Sequence, residues 1–175
     1  LGAAVDCYNT ALEYAKERKQ FSKPIAGYQL TQAKLAEMLT RITEAQLMVY
    51  RLGQLKDQGK MTFQQVSMAK RNNCVIARDI ARISREILGG NGITIDYSPI
   101  RHMANIESVY TYEGTHEMHT LILGEAITGM AAFDSNQFTV TAGHVTMSNQ
   151  SVGIDILEHS GSKISDGNTE SDLAL

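Results

Sequence analysis

The chain has 175 residues, with sixteen Lys and Arg against nineteen Asp and Glu, a net charge of −3 and 43% hydrophobic residues. A balance this close to neutral makes no electrostatic case for nucleic acid or an anionic membrane surface, and no apolar run approaches the ~18 residues of a spanning helix. Cys7 and Cys74 lie far apart with no CxxC spacing, which argues against a disulfide framework or a structural zinc site.

Chain-order reading begins at Leu1, where the residues already look helical and no signal-peptide pattern opens the sequence, so we expect a piece of a longer polypeptide. Ala4, Tyr8, Ala11 and Ala15 recur at helical spacing and predict a helix over 3–19. Residues 20–28, containing Pro24 and Gly27, read as a connection. Leu35, Ile42 and Val49 fall seven apart, with Met38, Ala45 and Leu52 between them. This heptad-like seam predicts a bundle helix over about 30–57, ended by Gly59. A third helix carries Val66, Ala69, Asn73, Ile76, Ile80, Ile83 and Ile87 on one stripe. It stops at Gly89–Gly90, where glycine tolerates a left-handed cap. A short element follows Pro99, and the last helix runs from near Thr115 through Met118, Leu121, Ile122 and Ile127 to about Phe133.

The expected fold is therefore all-α, an antiparallel four-helix bundle over 1–133. Residues 134–175 differ: seven Ser, four Thr, four Gly and six acids stand against one Lys, which predicts a largely irregular, disordered tail.

Three segments can carry chemistry. In Tyr110–Glu117, Glu113 precedes Gly114, and Thr115 is a good N-cap for the helix that follows. A carboxylate there feels the positive end of the helix. If an apolar ligand excludes water around it, its proton affinity rises toward that of a general base. From the residues alone, a role in helix capping stays open for Glu113. In the second segment, Glu86 through Gly92, the glycines let a backbone approach a ligand such as a pyrophosphate closely, or simply cap a helix. In the third, Arg18 offers a planar fork for phosphate and Phe21 a cover for a ring system; the alternative is an ordinary cationic helix end. His116 and His119 lie near Glu113 and Glu117, but matching ligands on other helices are not seen, so no metal is expected.

Arg18–Ile25, Leu88–Ile93 and Tyr112–Thr115, in register on successive helices, resemble the C-terminal helical domain of the flavin-dependent acyl-CoA dehydrogenases. Residues 51–58, 70–74 and 115–124 are most similar to the branch of that family acting on glutaryl-CoA. The resemblance implies that Glu113 is the general base removing the α-proton of an acyl thioester while a hydride leaves the β-carbon for the flavin. The thioester oxygen would be bound by the Glu113 backbone N–H and a flavin hydroxyl. Tyr112 and Gly114 match substrate-contacting positions. Thr115, Phe133, Arg18, Gln29, Glu86, Ile87, Leu88, Gly89 and Gly90 match positions that hold FAD, the last seven largely from a neighbouring subunit.

A homotetramer, electron-transferring flavoprotein as electron acceptor, and a mitochondrial or bacterial cytoplasmic home are further implications of the resemblance. Nucleic-acid binding and membrane insertion are not expected. Ser22 stands where the family usually has glycine, and Glu125 where it has arginine. The family's N-terminal helical and middle β-domains would lie upstream and carry most flavin contacts, so this segment alone is not expected to catalyse. Three readings follow: a glutaryl-type dehydrogenase segment, a dehydrogenase for another acyl-CoA, or a non-catalytic helical assembly domain.

Overall fold

The computed structural model describes residues 1–132. Helix α1 spans Gly2–Glu17, α2 Gln29–Asp57, α3 Phe63–Ile87, α4 Ser98–Thr111 and α5 His116–Thr128. The all-α reading holds. The element after Pro99 is a full helix of 14 residues, with Pro99 in its first turn, where a missing N–H is harmless. It looks short in sequence because only Pro99 and Ile106 are buried. The expectation of an irregular tail over 134–175 lies outside the described residues.

Helix α1 buries Ala4, Cys7, Ala11 and Ala15 completely, with Tyr8 half-buried beside them. These small side chains let α1 lie close against α3. The helix ends at Glu17, short of Lys19. Arg18 leaves helical geometry at φ −66°, ψ 119°, its N–H closing on Tyr14 O and its own carbonyl accepting from Ile25 N at 2.8 Å. The chain then folds back through a minimal hairpin, β1 (Lys19–Gln20) paired antiparallel with β2 (Lys23–Pro24), followed by a 3-10 turn at Ile25–Gly27. Phe21 and Ser22 form its two-residue loop with φ of +49° and +68°, the left-handed pair that a tight hairpin of this hand demands.

On α2 the seam holds at Leu35, Met38, Ile42 and Ala45 and ends on Leu55, while Val49 drifts to the exposed edge. Helix α3 begins before Val66 because Thr62 and Gln65 form a capping box. Gln65 N donates to Thr62 Oγ1 at 3.4 Å, and Thr62 N donates to Gln65 Oε1 at 2.9 Å.

The centre of the domain is α3, which packs against all four other helices. Its burial therefore extends beyond one stripe. Cys74, Ala77 and Ala81 are buried beside Ile76 and Ile80, Ser84 is sealed against Met38, and Asn73 is half-buried. Fully burying a side chain such as Ile80 stabilises by about 1.5–3 kcal/mol.

Paired side chains show the helix directions. Lys34 meets Glu86 and Arg41 meets Asp79, so α2 and α3 run antiparallel. Asp6 meets His102 and Thr10 meets Ser98, so α1 and α4 do too. Helix α5 packs on α3 with no fully buried side chain and closes on Gly129 at φ +69°, before residue 133. Among the described residues no helix is long and apolar enough to cross a membrane.

Candidate active site

The turn between α4 and α5 gathers Tyr112, Glu113, Gly114 and Thr115. Tyr112 ends α4, its N–H on Ser108 O at 2.9 Å and its backbone extended. Glu113 (φ +53°) and Gly114 (φ +92°) then reverse the chain. For a residue with a Cβ that conformation costs roughly 1–2 kcal/mol, the kind of local strain found at functional sites. Thr115 caps α5, accepting Met118 N–H at 3.3 Å on its hydroxyl. The cap thus belongs to Thr115. The Glu113 carboxylate is exposed, and no described residue hydrogen-bonds it.

Three braces hold this turn. Lys70 of α3 places its ammonium among three consecutive carbonyls, those of Tyr112 (2.5 Å), Glu113 (3.2 Å) and Gly114 (2.6 Å). His119 of α5 lies against Gly114, and a Cβ there would stand 3.0 Å from Nε2. Both ring nitrogens are buried without a hydrogen-bond partner. Burial, and then the nearby Lys70 charge, pushes the imidazole below its usual range, so the ring is neutral at pH 7. The third brace is a stack: the Arg78 guanidinium lies 4.1 Å over the Tyr110 ring, and His116 stacks on Tyr110 at 4.8 Å. Arg78 also pairs with Glu107 at 2.8 Å. Among the described residues no three His, Cys, Asp or Glu come close enough to hold a metal.

A second feature lies where the start of α2 meets the end of α3. Here Gln29, Glu86 and Ile87 line a cleft of about 520 Å³, with Phe21, Tyr28 and Lys34 also on its walls. Phe21 is 92% exposed, held out on the hairpin tip. Lys34 donates to Glu86 at 3.0 Å, and that hydrogen bond, chiefly, holds the Glu86 carboxyl below its usual range. Leu88 is buried beneath, as packing rather than wall. Gly89 (φ +60°) and Gly90 are exposed at the start of the 3-10 turn Gly89–Ile93. Arg18 is exposed at the end of α1 and does not line the cleft. Phe133 lies outside the described residues. Amide, hydroxyl and ammonium donors beside aromatic and aliphatic walls suit a ligand that combines rings with polar groups.

The two features sit at opposite ends of α3. Lys70 and Glu86 are separated by sixteen residues of continuous helix, about 24 Å. The sequence pointed to the turn residues and to Gln29, Glu86, Ile87 and Phe21. Lys34 and Lys70 were not singled out. Lys70 meets carbonyls 42–44 positions away, and nothing local announces such a contact.

Comparison with known proteins identifies the family. The family model described as "Acyl-CoA dehydrogenase, C-terminal domain" matches residues 1–128. The glutaryl-CoA dehydrogenase of Mycobacterium smegmatis is 53% identical with a TM-score of 0.75, over 76% of this chain and 34% of that one. A structure of that enzyme in complex with FADH2 matches at 49% identity over the same shares, again with a TM-score of 0.75. The 3-(aryl)acrylate reductase of Clostridium sporogenes is 37% identical over 123 residues, 70% of this chain and 33% of the relative. A subunit of the caffeyl-CoA reductase–Etf complex of Acetobacterium woodii is 33% identical over 123 residues, 70% and 33% of the two chains. The chain thus spans about a third of the length of the relatives it matches. A family match running from α1 through α5, over the same helices that carry the turn and the cleft, places this chain among the acyl-CoA dehydrogenases, as their C-terminal domain.

Proposed function

We propose that the chain supplies the base-bearing domain of an FAD-dependent acyl-CoA dehydrogenase, with Glu113 as the base. The observation that carries this is the Glu113 carboxylate itself, held at φ +53° on a braced turn and engaged by no described residue. A helical assembly domain has no use for a strained, unengaged acid between two capped helices.

In this reading Glu113 takes the α-proton of the thioester. Such a proton is a weak acid, so water must be excluded and the developing enolate charge met by donors already in place, the Glu113 N–H among them. Tyr112, 53% exposed beside the base, and Gly114 border the substrate. FAD, when bound, accepts the hydride that leaves the β-carbon. Thr115 would help hold FAD through its hydroxyl or backbone. The cleft lined by Gln29, Glu86 and Ile87 has the donor set and the aromatic cover for another stretch of a flavin nucleotide. The neighbouring Leu88, Gly89 and Gly90 would help hold that stretch, and Arg18, at the end of α1, would pair with a phosphate.

A separation of about 24 Å between turn and cleft favours each serving a different cofactor, with cofactors shared between subunits of a homotetramer. Electron-transferring flavoprotein is the natural acceptor of the electrons, in a mitochondrial matrix or a bacterial cytoplasm.

The substrate we favour is glutaryl-CoA, supported by the 53% identity to the Mycobacterium smegmatis enzyme. In this reading the oxidised product loses its terminal carboxylate as carbon dioxide, and protonated Glu113 returns its proton to the resulting dienolate, giving crotonyl-CoA. A second reading, the same chemistry on another acyl-CoA, is favoured by the relative named for 3-(aryl)acrylate.

Anaerobic flavin bleaching in the intact enzyme separates them. Bleaching by glutaryl-CoA but not butyryl-CoA supports the first reading, and the reverse supports the second. Full turnover in Glu113→Gln with FAD retained would overturn the base assignment.

A further inference from the structure

We infer that Lys70 is the positioning residue for the catalytic turn, fixing the direction of its backbone N–H groups; this rests on the reading of Glu113 as the base. An ammonium has three N–H donors. Here all three are spent on the carbonyls of Tyr112, Glu113 and Gly114, drawing three consecutive oxygens toward one point on α3.

In a trans peptide the N–H points opposite to the C=O of the same unit, and the chain has no cis peptide bond among the described residues. Pulling those three carbonyls toward Lys70 therefore turns the N–H groups of Glu113, Gly114 and Thr115 away from it. Because the oxygens converge, the three N–H groups diverge on the opposite side of the turn, each in a direction set by the clamp, the Glu113 N–H among them. The same clamp holds Glu113 at φ +53°, a conformation that is costly for a residue with a Cβ, beside Gly114 at φ +92°, which glycine adopts freely.

His119 supports the same turn by packing its ring against Gly114, while the charged three-way contact to consecutive carbonyls comes from Lys70. The lysine lies on the most enclosed helix of the domain, so its own position is set by packing rather than by the turn.

The test is Lys70→Met, which keeps the length and apolar stem but no donor, alongside Lys70→Arg and Glu113→Gln in the intact enzyme. Misplacing a reacting group by about 1 Å can lower rate by around a hundredfold. For Lys70→Met we expect kcat to fall at least about tenfold, with KM and flavin content within about twofold of wild type. Lys70→Arg should recover much of the loss. Hydrogen exchange across residues 112–119 should quicken in Lys70→Met while that of α3 is unchanged, a readout independent of turnover. Lys70→Gln, which keeps amide donors without the charge, takes the place of Lys70→Met if the latter does not fold.

Wild-type kcat with unchanged exchange in the turn would overturn the inference. So would a loss of activity that merely follows lost flavin or a lower melting point. If Glu113→Gln is inactive and Lys70→Met is normal, only the role of Lys70 falls. If Glu113→Gln turns over normally, the base assignment and this inference fall together.

Discussion

The imidazole of His119 closes so tightly over Gly114 that a Cβ at Gly114 would stand 3.0 Å from Nε2 and 3.2 Å from Cε1. Glycine is thus required there twice, by the ring above it and by its φ of +92°. Gly114→Ala should destabilise the fold by about 1–3 kcal/mol and abolish turnover, because relief of either strain moves the carboxylate next door. Urea unfolding beside a steady-state assay checks both; unchanged stability would show that ring and turn shift apart at no cost.

His119 also makes the fold sensitive to mild acid. Folding depresses its proton affinity below the ordinary 6.5, so the unfolded chain binds the proton more readily and stability rises with pH. The contribution is full above about pH 6.5 and fades as pH falls through the folded value. Asp6 and Glu86 are likewise depressed, Asp6 chiefly by its Ser98 hydrogen bond, and add a second loss in the range of carboxylate titration, below about pH 4.5. His119→Phe should flatten the urea midpoint between pH 7 and pH 5 and leave the steeper fall below it. An unchanged slope would assign the mild-acid loss to another group.

At the hairpin tip, Ser22 holds a left-handed conformation at φ +68°. Glycine adopts it without strain, and Ser22→Gly should stabilise the domain by about 1 kcal/mol or somewhat less. A lower melting temperature would show that the Ser22 side chain contributes more than the strain it brings.

Removing the Thr62 hydroxyl opens the capping box at the start of α3. Thr62→Ala should lower stability by about 1 kcal/mol, and Thr62→Ser should restore most of it. Chemical denaturation of the three proteins decides the point.

What could be read from the residues divides by the range of the interaction. The turn was legible because Glu113, Gly114 and Thr115 are neighbours, and the cap that Thr115 provides is a local contact with Met118. The α2 seam was legible because Leu35, Met38, Ile42 and Ala45 face one partner helix. Cys74, Ala77 and Ala81 were missed because α3 is covered on several sides, and a single stripe understates such burial. Thr62 was missed although its partner Gln65 stands three residues on, a signal available in the sequence. Lys70 was out of reach, since its contacts span 42–44 residues and form only when α4 and α5 have docked.

Helix α3 acts as a ruler. The turn is clamped at Lys70 and the cleft walled at Glu86, both on one uninterrupted 25-residue helix. Each residue of an α-helix advances the axis by about 1.5 Å and turns it by roughly 100°. Deleting a single residue between them would shorten the span only slightly but swing Glu86 a quarter-turn or more away from Lys34 and the cleft. Changes of length are tolerable in the connections at 58–62 and 94–97, and intolerable in the helix that measures one site from the other.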